Sequence, residues 1–193
     1  MVVVLSGPSG VGKDAILERM ANQHYPYHFV ITATTRAPRP GEVDGVNHFF
    51  VNRTRFQELI DTDELLEHAE VYGNMYGVPK QQVRDALAAD KHVMIRVDVQ
   101  GAARIRELLK DALLIFIKPP TLQSLQERLE DRGVDALEAI TERRSRAIDE
   151  IGDAEWFDFS VVNHDDQLDD AVREVISVID NESEREPPRV FNL

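Results

Sequence analysis

The densest chemistry in the sequence lies in Gly7-Pro8-Ser9-Gly10-Val11-Gly12-Lys13. Glycines in this pattern let successive backbone N–H groups turn toward phosphate oxygens, and the closing lysine supplies a point charge. The chemistry needs a buried strand before the run and a helix after it, whose N-terminal end adds positive partial charge. Both signals are present: Val2-Val3-Val4-Leu5 ahead, and Ala15, Ile16 and Met20 on one helical face behind. The next residue is Asp14, where such a loop usually carries a Ser or Thr whose hydroxyl reaches magnesium. A carboxylate there reads equally as a helix N-terminal charge stabilised by the dipole or as a harder metal ligand.

Two further clusters are cationic. Arg36 and Arg39 stand three apart on a proline-stiffened stretch, so two guanidinium forks can approach one phosphate from two sides. A solvated basic turn is the plain alternative. Arg128 and Arg132 are spaced i,i+4, where like charges disfavour a helix unless an anion lies between them, and Arg143, Arg144 and Arg146 follow. Glu127, Glu130, Asp131 and Glu142 could equally neutralise them in a salt-bridged helix. The histidines build no metal site, since Pro26 separates His24 from His28 and prevents one regular helix from carrying both. Ser9 is explained by the loop, without nucleophilic catalysis.

Regular elements must position these groups. After the first strand and helix, 29–31 reads as a second strand, 35–47 as a Pro- and Gly-rich loop, 48–51 as extended chain, and Phe56, Leu59 and Ile60 as a short helix. A hairpin is expected over 65–76 around Gly73-Asn74, then a helix carrying Val83, Ala86 and Leu87. The spacing predicts a strand over 92–99, a helix bearing Ala102, Ile105, Leu108 and Leu109, and an all-apolar strand over 112–117. Leu122, Leu125 and Leu129 stripe a helix, 137–151 reads as another, 159–162 as the last strand, and Leu168, Val172, Val175, Ile176 and Ile179 stripe the final helix. Residues 181–193 read as a loose polar tail. Apolar strands alternating with amphipathic helices imply an α/β fold, a parallel sheet flanked by helices on both faces. The stretch after the second strand breaks that rhythm and reads as an inserted antiparallel subdomain.

Composition bounds the partners. A chain of 193 residues with 42% apolar and 30% charged side chains is expected to form a single compact domain. The absence of cysteine removes disulfides, thiolate zinc sites and cysteine nucleophiles, and fits a reducing compartment, so the cytoplasm is the expected location. A formal net charge of −13 is the wrong sign for nucleic acid, so any anionic ligand must meet a local cationic pocket. The longest apolar runs, 1–5 and 112–117, fall far below the ~18 residues of a membrane span, and Met1 leads directly into a strand with no room for a signal peptide. A monomer or homodimer is expected, with neither membrane nor nucleic acid as partner.

Over 1–180 the sequence resembles guanylate kinases. The resemblance rests on the loop, on Thr34-Thr35-Arg36-Ala37-Pro38-Arg39-Pro40-Gly41-Glu42, and on Asp44-Gly45, Phe50-Val51, Glu67, Gly73-Asn74, Tyr76-Gly77, Asp98, Gln100-Gly101 and Arg128-Leu129-Glu130-Asp131-Arg132-Gly133, in that order. It implies a P-loop kinase fold with a core over 1–32, 78–126 and 148–181, a GMP-binding subdomain over 33–77, a lid over 127–147 and a tail over 182–193. It implies transfer of the γ-phosphoryl group of ATP to GMP or dGMP, with Mg2+ as cofactor and the two nucleotides as partners. ATP would rest on Gly7, Pro8, Ser9, Gly10, Val11, Gly12, Lys13 and Asp14, with Arg128, Arg132 and Asn163. Lys13, Arg36, Arg128, Arg132 and Arg143 would act on the transferring group. GMP would meet Thr32, Arg36, Arg39, His48, Glu67, Tyr76, Val78 and Asp98, with the Glu67 carboxylate accepting from the N1–H and amino group of guanine, an edge that adenine lacks.

Four positions depart from the family pattern. Asp14 replaces the metal-binding hydroxyl, Arg96 replaces the first Asp of an Asp-x-Asp pair ending at Asp98, His48 replaces a phosphate-binding Tyr, and Val78 replaces a hydroxyl that helps to read guanine. The base pocket is thus incomplete and the metal site rewritten. Asp14 and Arg96 are expected to have changed together and to pair in the nucleotide-free protein. An imidazole at 48 with an ordinary pKa of about 6.5 would tighten GMP binding as pH falls from roughly 8 toward 6. Two other readings compete. Ribose bisphosphate kinases share an Asp directly after the loop lysine but lack the Thr34 to Arg39 run. A non-catalytic guanylate-kinase-like module for phosphopeptides would suit the altered metal site, though it would not need the intact loop and lid arginines.

Overall fold

The computed structural model describes residues 1–23, 26–131 and 150–191. β1 (Val2–Ser6) leads through the glycine-rich loop into α1 (Lys13–Asn22) and β2 (Tyr27–Phe29). Then come β3 (Ala33–Thr34), β4 (Phe49–Phe50), α2 (Arg53–Asp61), and the hairpin of β5 (Leu65–Val71) and β6 (Asn74–Pro79). The chain returns through α3 (Lys80–Ala88), β7 (His92–Arg96), α4 (Val99–Leu108), β8 (Leu113–Lys118) and α5 (Leu122–Asp131). A short 3-10 turn (Asp153–Trp156), β9 (Phe159–Val162) and a helix over Leu168–Ser183 complete it.

The larger sheet runs β2-β7-β1-β8-β9, and every neighbouring pair is parallel. Alternation along its strands divides the core in two. Val2, Val4, Ile95, Leu114 and Phe116 pack with Val83 and Ala86 of α3 and Ala102 and Ile105 of α4. Val3, Leu5, Met94, Ile115 and Ile117 pack with Ile16 and Met20 of α1, Leu125 and Leu129 of α5, and Val172, Val175 and Ile179 of the last helix. Both faces of β1 are therefore apolar, which is why it reads as a continuous hydrophobic run. The inserted unit is a second sheet, β4-β3-β6-β5, over a small core of Ala33, Phe56 and Leu65. Its β3–β6 and β5–β6 pairs are antiparallel, as expected, while β3 and β4 run parallel. Tyr72 and Gly73, with φ of 49° and 74°, make the hairpin turn.

The structure corrects several element boundaries. β2 ends at Phe29, because the Gln82 side chain engages both backbone groups of Ile31, accepting from its N–H at 3.0 Å and donating to its carbonyl at 2.8 Å. β7 stops at Arg96, since Asp98 caps α4 by accepting from Gly101 N–H at 2.8 Å. Leu108 and Leu122 are exposed rather than core, and Leu109, just past the end of α4, takes the buried place. The tail expected from 181 is helical to Ser183. Beyond that, Arg189 pairs with Glu182 and donates to the carbonyls of Asp111 and Ala112, and Phe191 packs on the core. The helix expected over 137–151 lies outside the described residues except at its end. Among the described residues no helix is long and apolar enough to cross a membrane.

Candidate active site

Parallel strands gather the site at the carboxyl ends of β1 and β7, where Leu5 is in register with Arg96. The loop leaves β1 in a conformation that only glycine adopts easily. Gly7 has φ 139° and Gly12 φ 100°, and a Cβ would strike the Ile117 carbonyl oxygen at the first and the Asn163 amide at the second. The loop is braced from behind. The Val11 carbonyl accepts from Asn163 Nδ2 at 2.8 Å and from the Arg128 guanidinium at 3.1 Å. Lys13 folds back onto the loop, its Nζ donating to the carbonyls of Gly7 at 2.5 Å and Pro8 at 3.0 Å. Burial lowers the pKa of its ammonium, and Asp14 and Glu150 oppose that shift.

One cavity joins this loop to the inserted unit. Its walls include Gly7, Ser9, Gly10, Val11, Gly12, Lys13 and Asp14 on one side and Thr32, Arg36, Arg39, His48, Glu67 and Tyr76 on the other, with Arg96 and Asp98 between. Most residues singled out in the sequence thus converge. Four described ones do not line it. Arg128 is turned to the back of the loop, its Nε and one NH2 group on Asp165 at 3.0 and 2.6 Å and the same NH2 on the Asn163 carbonyl at 2.8 Å. Asn163 is buried behind Gly12, and Val78 is wholly buried in the core. Pro8 also stands off the cavity wall. Arg132 and Arg143 lie outside the described residues.

The cationic wall is held by carboxylates. Arg36 forms a two-pronged pair with Glu42 at 2.8 and 2.9 Å, and Glu42 also accepts from the Arg39 N–H at 2.7 Å. The Arg36 hydrogen bond, with the Arg39 N–H, holds Glu42 down at about 2. Arg96 forms an ion pair with Asp14, the contact anticipated from the two departures. Its other guanidinium nitrogen lies 3.2 Å from His48 Nε2, and His48 Nδ1 lies 2.8 Å from Thr32 Oγ1. A guanidinium only donates, so Nε2 is the acceptor and the ring proton sits on Nδ1, donated to Thr32. Burial, then Arg96 and Arg36, push His48 down to about 4. In the nucleotide-free chain this sets the imidazole below the pH 6 to 8 range in which its titration is expected from the sequence.

Glu67 is the site's uncompensated group. It is 5% exposed, and its Oε2 has no hydrogen-bond partner. Burial and then Asp98 push it up to about 8 against a weaker pull from Arg104. Gly101 lets the two carboxylates crowd here, since a Cβ would come within 3.1 Å of Glu67 Oε2 and 3.2 Å of Asp98 Oδ1. Val78 is the cross-strand partner of Glu67 and offers it no donor. The sequence reading gave no role to Gly101, Glu42 or Asp165. Gly101 and Glu42 lay inside the quoted motifs, whereas Asp165 had no local signal, because its partners Ser124 and Arg128 are distant in sequence.

The donor set bears on magnesium. Among the described residues no group of three His, Cys, Asp or Glu could hold a metal ion, and the one loop carboxylate, Asp14, is paired to Arg96. Magnesium keeps most of its waters and binds through one or two carboxylates plus phosphates. The residues therefore fit an ion carried in on a nucleotide and do not fit a resident one.

Comparison with known proteins agrees over the whole chain. A family model described as guanylate kinase matches residues 1–182. Guanylate kinase 2, chloroplastic/mitochondrial, of Oryza sativa subsp. japonica is 43% identical over 194 residues, covering 100% of this chain and 68% of the relative. The guanylate kinase of Gloeobacter violaceus is 47% identical over 186 residues, covering 96% and 90%. A crystal structure of guanylate kinase from Anaplasma phagocytophilum superposes with a TM-score of 0.78 at 30% identity, covering 98% of this chain and 89% of that one.

Proposed function

The chain belongs to the guanylate kinase family, and from that premise we infer that the cavity carries transfer of the γ-phosphoryl group of ATP to GMP or dGMP. The observation that carries the reading is the buried, partnerless Oε2 of Glu67 in the same cavity as the phosphate loop. A base with two adjacent donors satisfies that carboxylate, and guanine presents N1–H and an amino group side by side. Asp98 and Thr32 stand nearby for the remaining polar edges.

The triphosphate rests on the loop N–H groups, and Lys13 exchanges the Gly7 and Pro8 carbonyls for phosphate oxygens. Arg36 and Arg39 hold the acceptor phosphate, with Tyr76 and His48 closing the pocket. One acceptor oxygen attacks the γ-phosphorus in line with the departing ADP oxygen, so the chain positions and neutralises rather than forming a covalent intermediate. Arg132 and Arg143, in a lid over 127–147, supply further guanidinium charge at the transferring group. Arg128 braces the loop from behind. Asp14 is the carboxylate that would hold magnesium bound with ATP, directly or through water, and the ion would supply neutralisation of phosphate charge. In this division the core spans 1–32, 78–126 and 148–181, and the GMP-binding subdomain spans 33–77.

A coupled assay of ATP turnover against GMP, dGMP, AMP, UMP and ribose bisphosphate tests this reading. Turnover is expected with GMP and dGMP. Folded protein that turns over none of them, or ribose bisphosphate alone, would overturn it.

A further inference from the structure

Arg96 has no part in the roles assigned above, yet it stands between the two halves of the cavity. It ends β7 beside the origin of the phosphate loop and is 22% exposed. One arm is paired with Asp14 in the first turn of α1, and the other donates to His48, which in turn donates to Thr32. The chain Asp14–Arg96–His48–Thr32 thus runs from the donor side to the acceptor side. Two guanidiniums, Arg96 and Arg36, flank the His48 ring, and each is held by its own carboxylate, Asp14 and Glu42.

We propose that Arg96 binds the acceptor phosphate together with Arg36 and Arg39, and that Asp14 restrains it until nucleotide enters. The inference rests on the guanylate kinase reading and adds a residue to it. Three features of the geometry support the assignment. Arg96 lines the cavity with Arg36 and Arg39, and a guanidinium fork matches phosphate oxygens in two directions. His48 is held neutral with its lone pair committed to Arg96, so this imidazole fixes the guanidinium's orientation instead of supplying charge itself. Finally, an incoming phosphate brings the negative charge that Asp14 now provides, so Arg96 can change partners without being left uncompensated in the wall. Asp14, released in that exchange, becomes available to the cation that accompanies ATP. Binding at the acceptor side would then prepare the donor side through a single side chain.

Calorimetric titration of GMP and of guanosine, without ATP or metal, tests the proposal on the full chain. R96Q is expected to weaken GMP by at least about tenfold, the loss of a charge-assisted contact, and to leave guanosine within about twofold. R96K, which keeps the charge but cannot span both partners, should fall between. D14N removes the competing carboxylate and should tighten GMP several-fold. Thermal melting of each variant reports folding, and the guanosine arm reports an intact base pocket. Equal loss of guanosine and GMP in R96Q, unchanged GMP affinity in R96Q and R96K, or weaker GMP binding in D14N would overturn the assignment. Failure of the unmodified chain to bind GMP or turn it over would instead bring down the guanylate kinase reading itself.

Discussion

The two walls of the cavity are built on different principles. The donor wall is backbone held from behind: Gly7 and Gly12 occupy conformations closed to other residues, and Asn163 and Arg128 both grip the Val11 carbonyl. The acceptor wall is side chain held by charge. Arg36 rests on Glu42, Arg96 on Asp14, and Glu67 has an oxygen with no partner. The donor wall is therefore preorganised at the expense of local strain, and the acceptor wall is poised, since on the proposed reading its ligand would replace contacts already made or satisfy one left open. Changes in the first should act on the transferring group whatever the acceptor. Changes in the second should act on acceptor choice and on pH.

The sharpest way to separate the walls is Lys13→Met. The ammonium is buried on loop carbonyls, so the apolar replacement relieves a desolvated charge while removing the donor proposed for the transferring phosphates. Loss of one preorganised donor of this kind costs about 10²–10³ in kcat. The expected result is that loss with GMP affinity and melting temperature essentially unchanged. A variant retaining turnover within about tenfold would show that the loop alone stabilises the transfer.

Glu67→Gln breaks the other wall. Guanine donors left facing an amide cost about 1–3 kcal/mol per group, so GMP affinity should fall by one to two orders of magnitude while ATP affinity holds. The pH dependence follows from the shift. Burial and Asp98 push Glu67 up to about 8 in the folded protein against an ordinary 4.5, so between these values the folded chain keeps a proton that the unfolded chain has lost. Stability therefore falls as pH rises through that window, and the Gln variant should flatten the slope. On the proposed reading GMP would recruit the ionised carboxylate, so binding should release a proton and tighten from pH 6 toward 8. His48, down at about 4, stays neutral throughout and adds nothing in the opposite direction. Titrations in buffers of different ionisation enthalpy would detect the proton. Affinity that rises toward pH 6 would contradict this account.

The donor wall was the more legible in sequence, for a physical reason. Glycine spacing, a lysine and an apolar strand ahead of them are local features, and β1 runs one residue past its expected end while α1 carries Ala15, Ile16 and Met20 as expected. Across the larger sheet the apolar runs located every strand, and the misplaced ends of β2 and β7 were set by contacts from Gln82 and Asp98 that periodicity does not encode. In the acceptor wall the sequence points to residues that share one cavity, but not to their ionisation or pairing. The sequence predicts that His48 titrates near neutrality, and only the folded chain shows that burial, then Arg96 and Arg36, push it down when no nucleotide is bound. The pairing of Asp14 with Arg96 was legible because two unusual charges of opposite sign appeared together. The brace of Arg128 on Asp165 was not, since neither residue is unusual where it stands.

Val78 offers the smallest and most discriminating change. Its side chain is wholly buried and does not line the cavity in the nucleotide-free chain. It does sit opposite Glu67 across the β5–β6 pair, on the same face of the sheet. A threonine there keeps the volume and sets a hydroxyl beside a carboxylate that has an oxygen without a donor. That hydrogen bond favours the ionised form, so Val78→Thr should bring the Glu67 pKa down and tighten GMP at neutral pH by the worth of a modest hydrogen bond, about 0.5–1.5 kcal/mol. The gain should shrink at pH above about 8, where Glu67 is already ionised without help. An apolar core position accepts a hydroxyl only if it finds a partner, so melting temperature is the second readout: a pronounced drop with no change in GMP affinity would show the new hydroxyl pointing into the core, away from Glu67. Tightening of equal size at every pH would mean that the hydroxyl meets the base directly, and the acceptor wall would then extend one residue deeper than the cavity it now presents.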